Sequence, residues 1–256
     1  MEQTEQAPAA PVTVAGDLTA ADLRAALAAG WRDFMACPQY GLVIAGVYVL
    51  AGIGITYALY AFGEAIWLVP AIACFPLIAP FTAVGIYEVS RKREAGAEIG
   101  WRDVLGALRG RGDDQIMGLG VIIFVIMSFW VILAHGIFYI FLADAGVTQE
   151  SLAFLTTTSG LLMLLVGGAV GGGIALFTFC LTVMSLPMLL DRDVDLISAM
   201  IASWKAVSRN RPVMFAWAAL IAVLLFLASV PAFIGLLLVL PLLGHASWHL
   251  YRRVIS

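Results

Sequence analysis

Long apolar runs alternate with short polar segments along this chain, and the alternation predicts transmembrane helices. Each run approaches the roughly 20 residues that a helix needs to cross a bilayer core of about 30 Å. Barrel strands would instead give short segments of alternating polarity. The pattern predicts an all-α polytopic membrane helix bundle with six transmembrane helices, at about 40–62, 66–87, 116–142, 161–189, 212–229 and 231–251.

One apolar stretch, 151–190, is long enough for either two spans or one span with a short lead-in helix. The positive-inside rule favours one span, because a seventh span would put basic loops on opposite faces of the membrane. We therefore expect a lead-in at 151–158, with the start of the fourth span left open between 151 and 165.

All fourteen Lys and Arg residues fall on one side of the six predicted spans. Two precede the first span, six lie at 88–114, four lie at 192–211 and two follow the sixth span. The three turns on the other side contain none. Since loops rich in Lys and Arg stay in the cytoplasm, we expect both the N-terminus and the C-terminus to be cytoplasmic.

A four-residue mark recurs before each outward-going span: Gly-Trp-Arg-Asp at 30–33 and at 100–103, and Ser-Trp-Lys-Ala at 203–206. Each copy lies in a segment with apolar residues at helical spacing, which predicts three interfacial amphipathic helices. Each returning span also contains a Phe or Leu, a Pro and two aliphatic residues in that order. The two marks together predict a three-fold internal repeat of interfacial helix plus hairpin.

The repeat defines the predicted domain organisation. Residues 1–16 are rich in Ala, Pro, Gln and Thr and are expected to form a disordered tail. Residues 17–256 form a single transmembrane domain, with repeat units 17–88, 89–190 and 191–256.

Composition excludes a soluble domain. Hydrophobic residues make up 62% of the 256 residues and charged residues 12%, against about 45–50% and about 25% in typical soluble domains, and the mean hydropathy is +0.98. The net charge of −3 comes from scattered acids, so it indicates no nucleic-acid partner. The predicted partner is the lipid bilayer, together with a membrane-protein partner or a second copy of the chain.

The sequence contains no familiar catalytic motif: no Walker loop, GxSxG, HExxH or CxxC pair. Cys37, Cys74 and Cys180 follow no zinc spacing and are expected to be buried packing residues. We therefore predict no catalytic residue, no cofactor and no metal, and we predict that the protein is not an enzyme.

Polar residues follow the proline of each returning span, near the inner end of that span. We predict that they converge as a polar cluster at the cytoplasmic ends, where opposite charges offset one another. His245 and His249 are four residues apart and share a helix face. Two His without a third ligand favour a polar cap over a metal site. The predicted cluster is Glu88, Asp191, Arg192, His245, His249 and Arg252.

Two further features lie inside predicted spans. The fourth span contains closely spaced glycines that let another helix approach, either within the bundle or as a dimer face. His135 is a lone histidine in the third span, which favours a satisfied side chain over a ligand. The predicted packing glycines are Gly167, Gly168, Gly171 and Gly172, with Gly173 adjacent.

Three blocks of sequence carry a family resemblance: residues 86–91 with Glu-Ala-Gly at 94–96, SLPMLLDRDVD at 185–195, and PLLGHASWHLYR at 241–252. They are similar to an uncharacterised family of bacterial multi-span inner-membrane proteins, over nearly the whole chain after residue 17. The resemblance implies a multi-pass protein of the bacterial inner (plasma) membrane. It carries over no catalytic residue, because the family is catalogued as a domain of unknown function.

Two functions from different classes fit these observations. The first is a non-enzymatic accessory or assembly factor for a membrane complex, favoured by the interfacial helices and the absent motifs. The alternative is a small-solute transporter or channel, favoured by the repeat and by proline-broken spans with polar groups at their inner ends. A catalytic oxidase subunit is excluded, because the chain has three His in all, fewer than its haem and copper ligands require.

Overall fold

The computed structural model describes residues 13–64, 67–68, 83–107, 113–143 and 155–256. These residues are folded almost entirely as α-helices, which confirms the predicted all-α class. The helices are α1 (Ala20–Ala36), α2 (Pro38–Ala61), α3 (83–94), α4 (Trp101–Gly106), α5 (Asp113–Ala143), α6 (Thr158–Thr182), α7 (Ser185–Asp191), α8 (Leu196–Arg209), α9 (Arg211–Ser229) and α10 (Leu236–Val254).

Four helical segments in the described part of the chain are long and apolar enough to cross a membrane. Between 11% and 22% of each apolar window is buried inside the protein, so most of its surface faces outward. Outward-facing apolar helices are stable in hydrocarbon because all their backbone hydrogen bonds are internal. The protein is therefore a multi-pass integral membrane protein that contacts the bilayer through Pro38–Ala61, Asp114–Phe141, Thr158–Asp191 and Arg211–Ser229.

These four segments correspond to the predicted spans one, three, four and five. The predicted second span, 66–87, falls largely on residues 69–82, which lie outside the described residues together with its three prolines. Its last part is helical and begins α3. The predicted sixth span corresponds to α10, which is not among the four because polar residues fill its second half.

The long apolar stretch forms one candidate span, Thr158–Asp191. A turn at 183–184 divides it into α6 and α7. Its start at 158 falls within the interval left open by the sequence. Residues 151–154 of the predicted lead-in lie outside the described residues, and the lead-in remains a prediction.

Helix α10 lies at the centre of the described bundle. Twelve of its 19 residues are buried, and it packs against α1, α2, α7 and α9. Two glycines permit close contact: a Cβ on Gly30 would lie 2.5 Å from the Ala246 backbone nitrogen, and one on Gly244 would lie 2.8 Å from Ile86 Cγ2. Small residues at these crossings let α1 and α3 pack closely against α10.

The two ends of the described chain meet. Backbone hydrogen bonds join residues 13–15 to residues 254–256, with an antiparallel bridge between Val14 and Ile255. These bonds hold residues 13–15 against the C-terminal end of the chain, and the predicted tail at 1–16 remains a prediction. The first twelve residues of the predicted tail lie outside the described residues.

The predicted interfacial segments form α1, α4 and α8. Helix α1 begins at a capping box in which Thr19 and Asp22 bond to each other's backbone N–H groups. The indole side chains of Trp31, Trp101 and Trp204 are 43%, 38% and 47% exposed. Exposed Trp on an amphipathic helix is typical of the membrane–water interface.

The three copies of the four-residue mark occupy different positions in these helices. Gly30 lies in the middle of α1 against α10, whereas Gly100 is the N-cap of α4. Ser203 lies in the middle of α8, where its Oγ accepts from the Met184 N–H at 3.1 Å. The internal repeat therefore remains a prediction from sequence.

Candidate functional site

Buried and half-buried polar side chains from α1, α3 and α10 form a connected group, which we call the Asp33 cluster (Asp33, Ser90, Arg93, His245 and His249). The Asp33 side chain accepts from Ser90 Oγ and from His249 Nε2, each at 2.8 Å, and from Arg93 Nε at 3.0 Å. Asp33 is 7% exposed. Three donors on one buried carboxylate hold these helices together at this point.

The protons in the Asp33 cluster can be assigned from its chemistry. An ionised carboxylate only accepts, so the Ser90 hydroxyl donates to Asp33. The contact of 2.7 Å between Ser90 Oγ and His245 Nδ1 then requires His245 to donate. A neutral His245 therefore carries its proton on Nδ1, and its buried Nε2 has no hydrogen-bond partner among the described residues.

The surroundings of Asp33 lower its pKa. Burial acts to raise the pKa of this carboxyl group, but hydrogen bonds from His249, Ser90 and Arg93, with the charge of His249, outweigh burial. The net result is a pKa lowered to about 2. Asp33 is therefore ionised at neutral pH and balances the charge of Arg93.

A second group, the Asp191 cluster (Glu94, Asp191, Tyr251 and Arg252), joins α3, α7 and α10. Asp191 Oδ2 accepts from Tyr251 Oη at 2.8 Å and from Arg252 Nη1 at 3.1 Å. Arg252 Nε also donates to Glu94 Oε1 at 3.1 Å. Arg192 Nη2 donates instead to the Ile255 carbonyl at 3.3 Å. The Asp191 cluster fixes the end of α7 to the last turns of α10.

Glu88 is held by its own helix. Both Glu88 oxygens accept from Arg91 at 2.7 Å, and Glu88 is 5% exposed. These hydrogen bonds raise the pKa of Arg91 against the opposing effect of burial, and the charges of Asp191 and Asp103 raise it further. Arg91 therefore lies within electrostatic reach of both Glu88 and Asp191.

The arrangement differs from a nucleophilic triad although it contains Ser, His and Asp. In a triad the histidine accepts the serine proton and the aspartate orients the histidine. Here Ser90 donates to Asp33, and His245 donates to Ser90. Ser90 and His245 are 0% and 1% exposed, so neither meets a substrate in this conformation. This geometry suits a structural role.

The described residues include no group of three His, Cys, Asp or Glu side chains arranged to hold a metal ion. The two histidines of the predicted cap point to different partners: His249 Nε2 bonds to Asp33, and His245 Nδ1 bonds to Ser90. The predicted absence of a metal remains a prediction.

The structure brings together some predicted residues of the polar cluster and divides others. Asp191, Arg192 and Arg252 lie at the Asp191 cluster, His245 and His249 lie at the Asp33 cluster, and Glu88 pairs with Arg91. Sequence reasoning missed five participants. Asp33 had a signal, because it ends the first Gly-Trp-Arg-Asp mark. The other missed residues are Ser90, Arg93, Glu94 and Tyr251.

The predicted packing glycines of α6 face different surroundings. A Cβ on Gly171 would lie 2.8 Å from Trp130 on α5. For Gly167, Gly168 and Gly172, no atom of the described residues lies within 4 Å of such a Cβ. A packing role at these three positions therefore remains a prediction.

We expect Gly171→Leu to lower the melting temperature in detergent more than Gly168→Leu does, because only the former displaces an indole ring from a helix contact. A fluorescence melting curve of each purified variant measures the difference. Equal melting temperatures would show that Trp130 gives way without cost, and that α5 and α6 do not depend on this contact.

His135 makes local contacts on α5. Its Nδ1 lies 2.8 Å from the Val131 carbonyl oxygen, and its ring stacks on Trp67 with centroids 3.9 Å apart. Both contacts are typical of a satisfied side chain, which is what a lone histidine in this span favours.

Residues 68–191 match the family described as "Predicted integral membrane protein (DUF2189)", a family of unknown function. The chain carries a DUF2189 region. This match confirms the resemblance to an uncharacterised family of integral membrane proteins. No curated protein and no solved structure matches the chain.

The DUF2189 region supplies part of each polar cluster. It contains Ser90, Arg93, Glu94 and Asp191, whereas α1 and α10 lie outside it. The partners of these residues, Asp33 among them, therefore come from the flanking parts of the chain.

Proposed function

We propose that this protein is a non-enzymatic accessory or assembly factor for a complex in the bacterial inner membrane. It has six spans, built as three units of interfacial helix and hairpin, and both termini lie in the cytoplasm. Its role is to present apolar helix surface to a membrane-protein partner or to a second copy of the chain.

The observation that carries the proposal is how the charged side chains are used. Among the described residues, ion pairs and hydrogen bonds around the polar half of α10 link α1, α3, α7 and α10. They join the carboxylates of Asp33, Glu88, Glu94 and Asp191 to the guanidinium groups of Arg91, Arg93, Arg192 and Arg252. Groups that bond to one another in this way are not free to bind a substrate or ion. The spans meanwhile present mostly apolar surface outward, which serves lipid contact and helix association.

The six-span topology draws its support from charge. The fourteen basic residues fall on one face only if the segments at 66–87 and 231–251 also cross the membrane. The turn at 230–235 then lies on the outer face, and the two polar clusters lie on the inner face. The repeat draws its support from the two recurring sequence marks.

The experiment that tests the proposed function is purification of the tagged protein from its native membrane in a mild detergent. We expect a membrane protein to copurify at a fixed molar ratio and to stay bound at high salt, because an apolar contact is not screened. A tagged multi-span protein of similar size from the same membrane is the control for non-specific recovery.

The competing transporter function is tested on the same preparation in liposomes. A transporter moves solute across the bilayer in the absence of a partner, whereas an accessory protein does not. Solute flux above that of empty liposomes, with no partner recovered at a fixed ratio, would contradict the proposed function and support the transporter.

A further inference from the structure

A cavity of about 500 Å³ lies within the bundle, outside both polar clusters. Its volume falls in the range of about 300–1,000 Å³ that is typical of small-molecule sites. Helices α6 and α9 form its walls, and α3, α7 and α10 form its floor. Small or apolar side chains line it, including Gly172, Ala175, Ala218 and Ala222 on the walls and Leu240 and Leu243 on the floor.

The cavity opens between its two walls. Leu176 on α6 and Phe215 on α9 are 39% and 45% exposed, whereas Leu240 and Leu243 on the floor are 7% and 6% exposed. Both walls belong to helices that are apolar enough to cross the membrane. The opening therefore faces the hydrocarbon core of the bilayer. A lipid acyl chain can enter it laterally from the membrane without crossing a polar layer.

The few polar groups of the lining need no ligand. Thr178 Oγ1 donates to the Ile174 carbonyl at 2.9 Å, and Thr182 Oγ1 donates to the Thr178 carbonyl at 2.8 Å. The Ser247 hydroxyl group interacts with the Tyr87 side chain. Because these hydroxyl groups are already paired, the cavity offers an apolar interior that fits hydrocarbon and gives a polar solute nothing to bind.

A basic residue lies at one end of the opening. Arg211 precedes Phe215 by four residues, so the two lie on the same face of α9 about one helical turn apart. The Arg211 side chain is exposed and makes no hydrogen bond or ion pair with another side chain or carbonyl group of the described residues. A guanidinium group at the edge of an apolar opening is complementary to the phosphate of a lipid whose chain lies inside.

We propose that this cavity binds one acyl chain of a phospholipid from the leaflet next to Arg211, with the phosphate of that lipid at the Arg211 guanidinium. The bound chain fills the space between α6 and α9 and joins them through the floor of α10. This binding site is independent of the proposed partner, because its lining lies inside one chain.

The test uses the full-length protein in nanodiscs of phosphatidylglycerol that carries a photoreactive diazirine on its acyl chain. After illumination, mass spectrometry maps the labelled residues. A chain in the cavity labels the floor of α10 near Leu240 and Leu243, which bulk lipid does not reach. Labels on the outer faces of α2, α5 and α9 without any label at Leu240 or Leu243 would overturn the proposal.

A pair of variants on α9 sharpens the test. Ala222→Phe fills the cavity, whereas Ala216→Phe places the same ring on an exposed position outside the lining. We expect Ala222→Phe to lower labelling at Leu240 and Leu243 by about tenfold and Ala216→Phe to leave it unchanged. Ala175→Leu, a smaller change on the other wall, replaces Ala222→Phe if that variant does not fold. Unchanged labelling in the cavity variant would overturn the proposal.

The identity of the lipid is tested by extracting the purified protein. We expect about one phospholipid for each chain, and faster loss of that lipid from Arg211→Gln on dilution into lipid-free detergent. Recovery of an isoprenoid quinone in its place, or equal loss from both proteins, would contradict the assignment of a phospholipid held by Arg211.

Discussion

Asp33→Asn is expected to cause the largest loss of stability of any single charge change in the described part of the chain. The substitution removes the charge that balances Arg93 and puts an amide donor among groups that already donate. Breaking a buried and paired charge costs on the order of 3 kcal/mol. Melting of the purified protein in detergent, followed by tryptophan fluorescence, measures the effect.

Asp103→Asn is the matched control, because Asp103 ends the second copy of the same four-residue mark. Asp103 bonds to Lys92 at 2.7 Å, but its side chain is 39% exposed, so water replaces the lost contact. We expect a much smaller change in melting temperature than for Asp33→Asn. Equal effects would mean that the Asp33 cluster contributes no more to the fold than a surface ion pair.

The lowered pKa of Asp33 allows the contribution of this carboxylate to stability to be measured in a second way, from the pH dependence of melting. A carboxylate whose folded pKa lies below its unfolded value stabilises the fold above the unfolded pKa. The contribution disappears as the pH falls through the folded pKa. For Asp33 this interval runs from the ordinary value of 3.8 down to about 2. The melting temperature of the unchanged protein should fall more steeply across this interval than that of Asp33→Asn.

Gly30→Ala is expected to destabilise the protein by roughly 3 kcal/mol, the upper end of the usual cost of overpacking. The added methyl group would lie 2.5 Å from the backbone nitrogen and 2.9 Å from the Cα of Ala246, and backbone atoms in a helix cannot turn aside. Helices α1 and α10 must then separate, which also lengthens the bond between Asp33 and His249. The same melting experiment measures the loss.

Gly54→Ala on α2 is the matched control for Gly30→Ala. No atom of the described residues lies within 4 Å of a Cβ at this position. Alanine favours a helix over glycine by up to about 1 kcal/mol, so this variant should melt at the same or a higher temperature. If the melting temperature fell by a similar amount in both variants, the loss would come from replacing a helix glycine and not from the contact with α10.

Hydropathy predicted the outward-facing spans well, because their surface faces hydrocarbon along nearly its whole length. It could not show that α10 differs from them. The sequence of α10 has an apolar first half and a polar second half, and only the fold shows that α1, α3 and α7 cover the polar half.

The candidate site shows a similar division. Glu88, Asp191 and His245 could be selected because each follows a proline-containing apolar run at the inner end of a predicted span. Ser90 could not be selected from its own segment, and the only signal for Asp33 was its place in the recurring four-residue mark, since each residue acts through a partner on another helix. Asp33 lies 57 positions from Ser90 and 216 positions from His249 in the sequence. Such contacts depend on how the helices pack, and the hydrophobic periodicity of one segment does not predict that packing.

The turn between α9 and α10 offers the most direct test of the proposed topology, because α10 is the least apolar of the proposed spans. Ala232 and Phe233 lie in this turn with positive φ. Cys37, Cys74 and Cys180 are first replaced by Ser, and a single Cys is then placed at 232 or at 256. A membrane-impermeant maleimide added to intact spheroplasts should label position 232 and not position 256. If position 232 were labelled only after the membrane is permeabilised, α10 would not cross the membrane. This result would contradict the six-span topology.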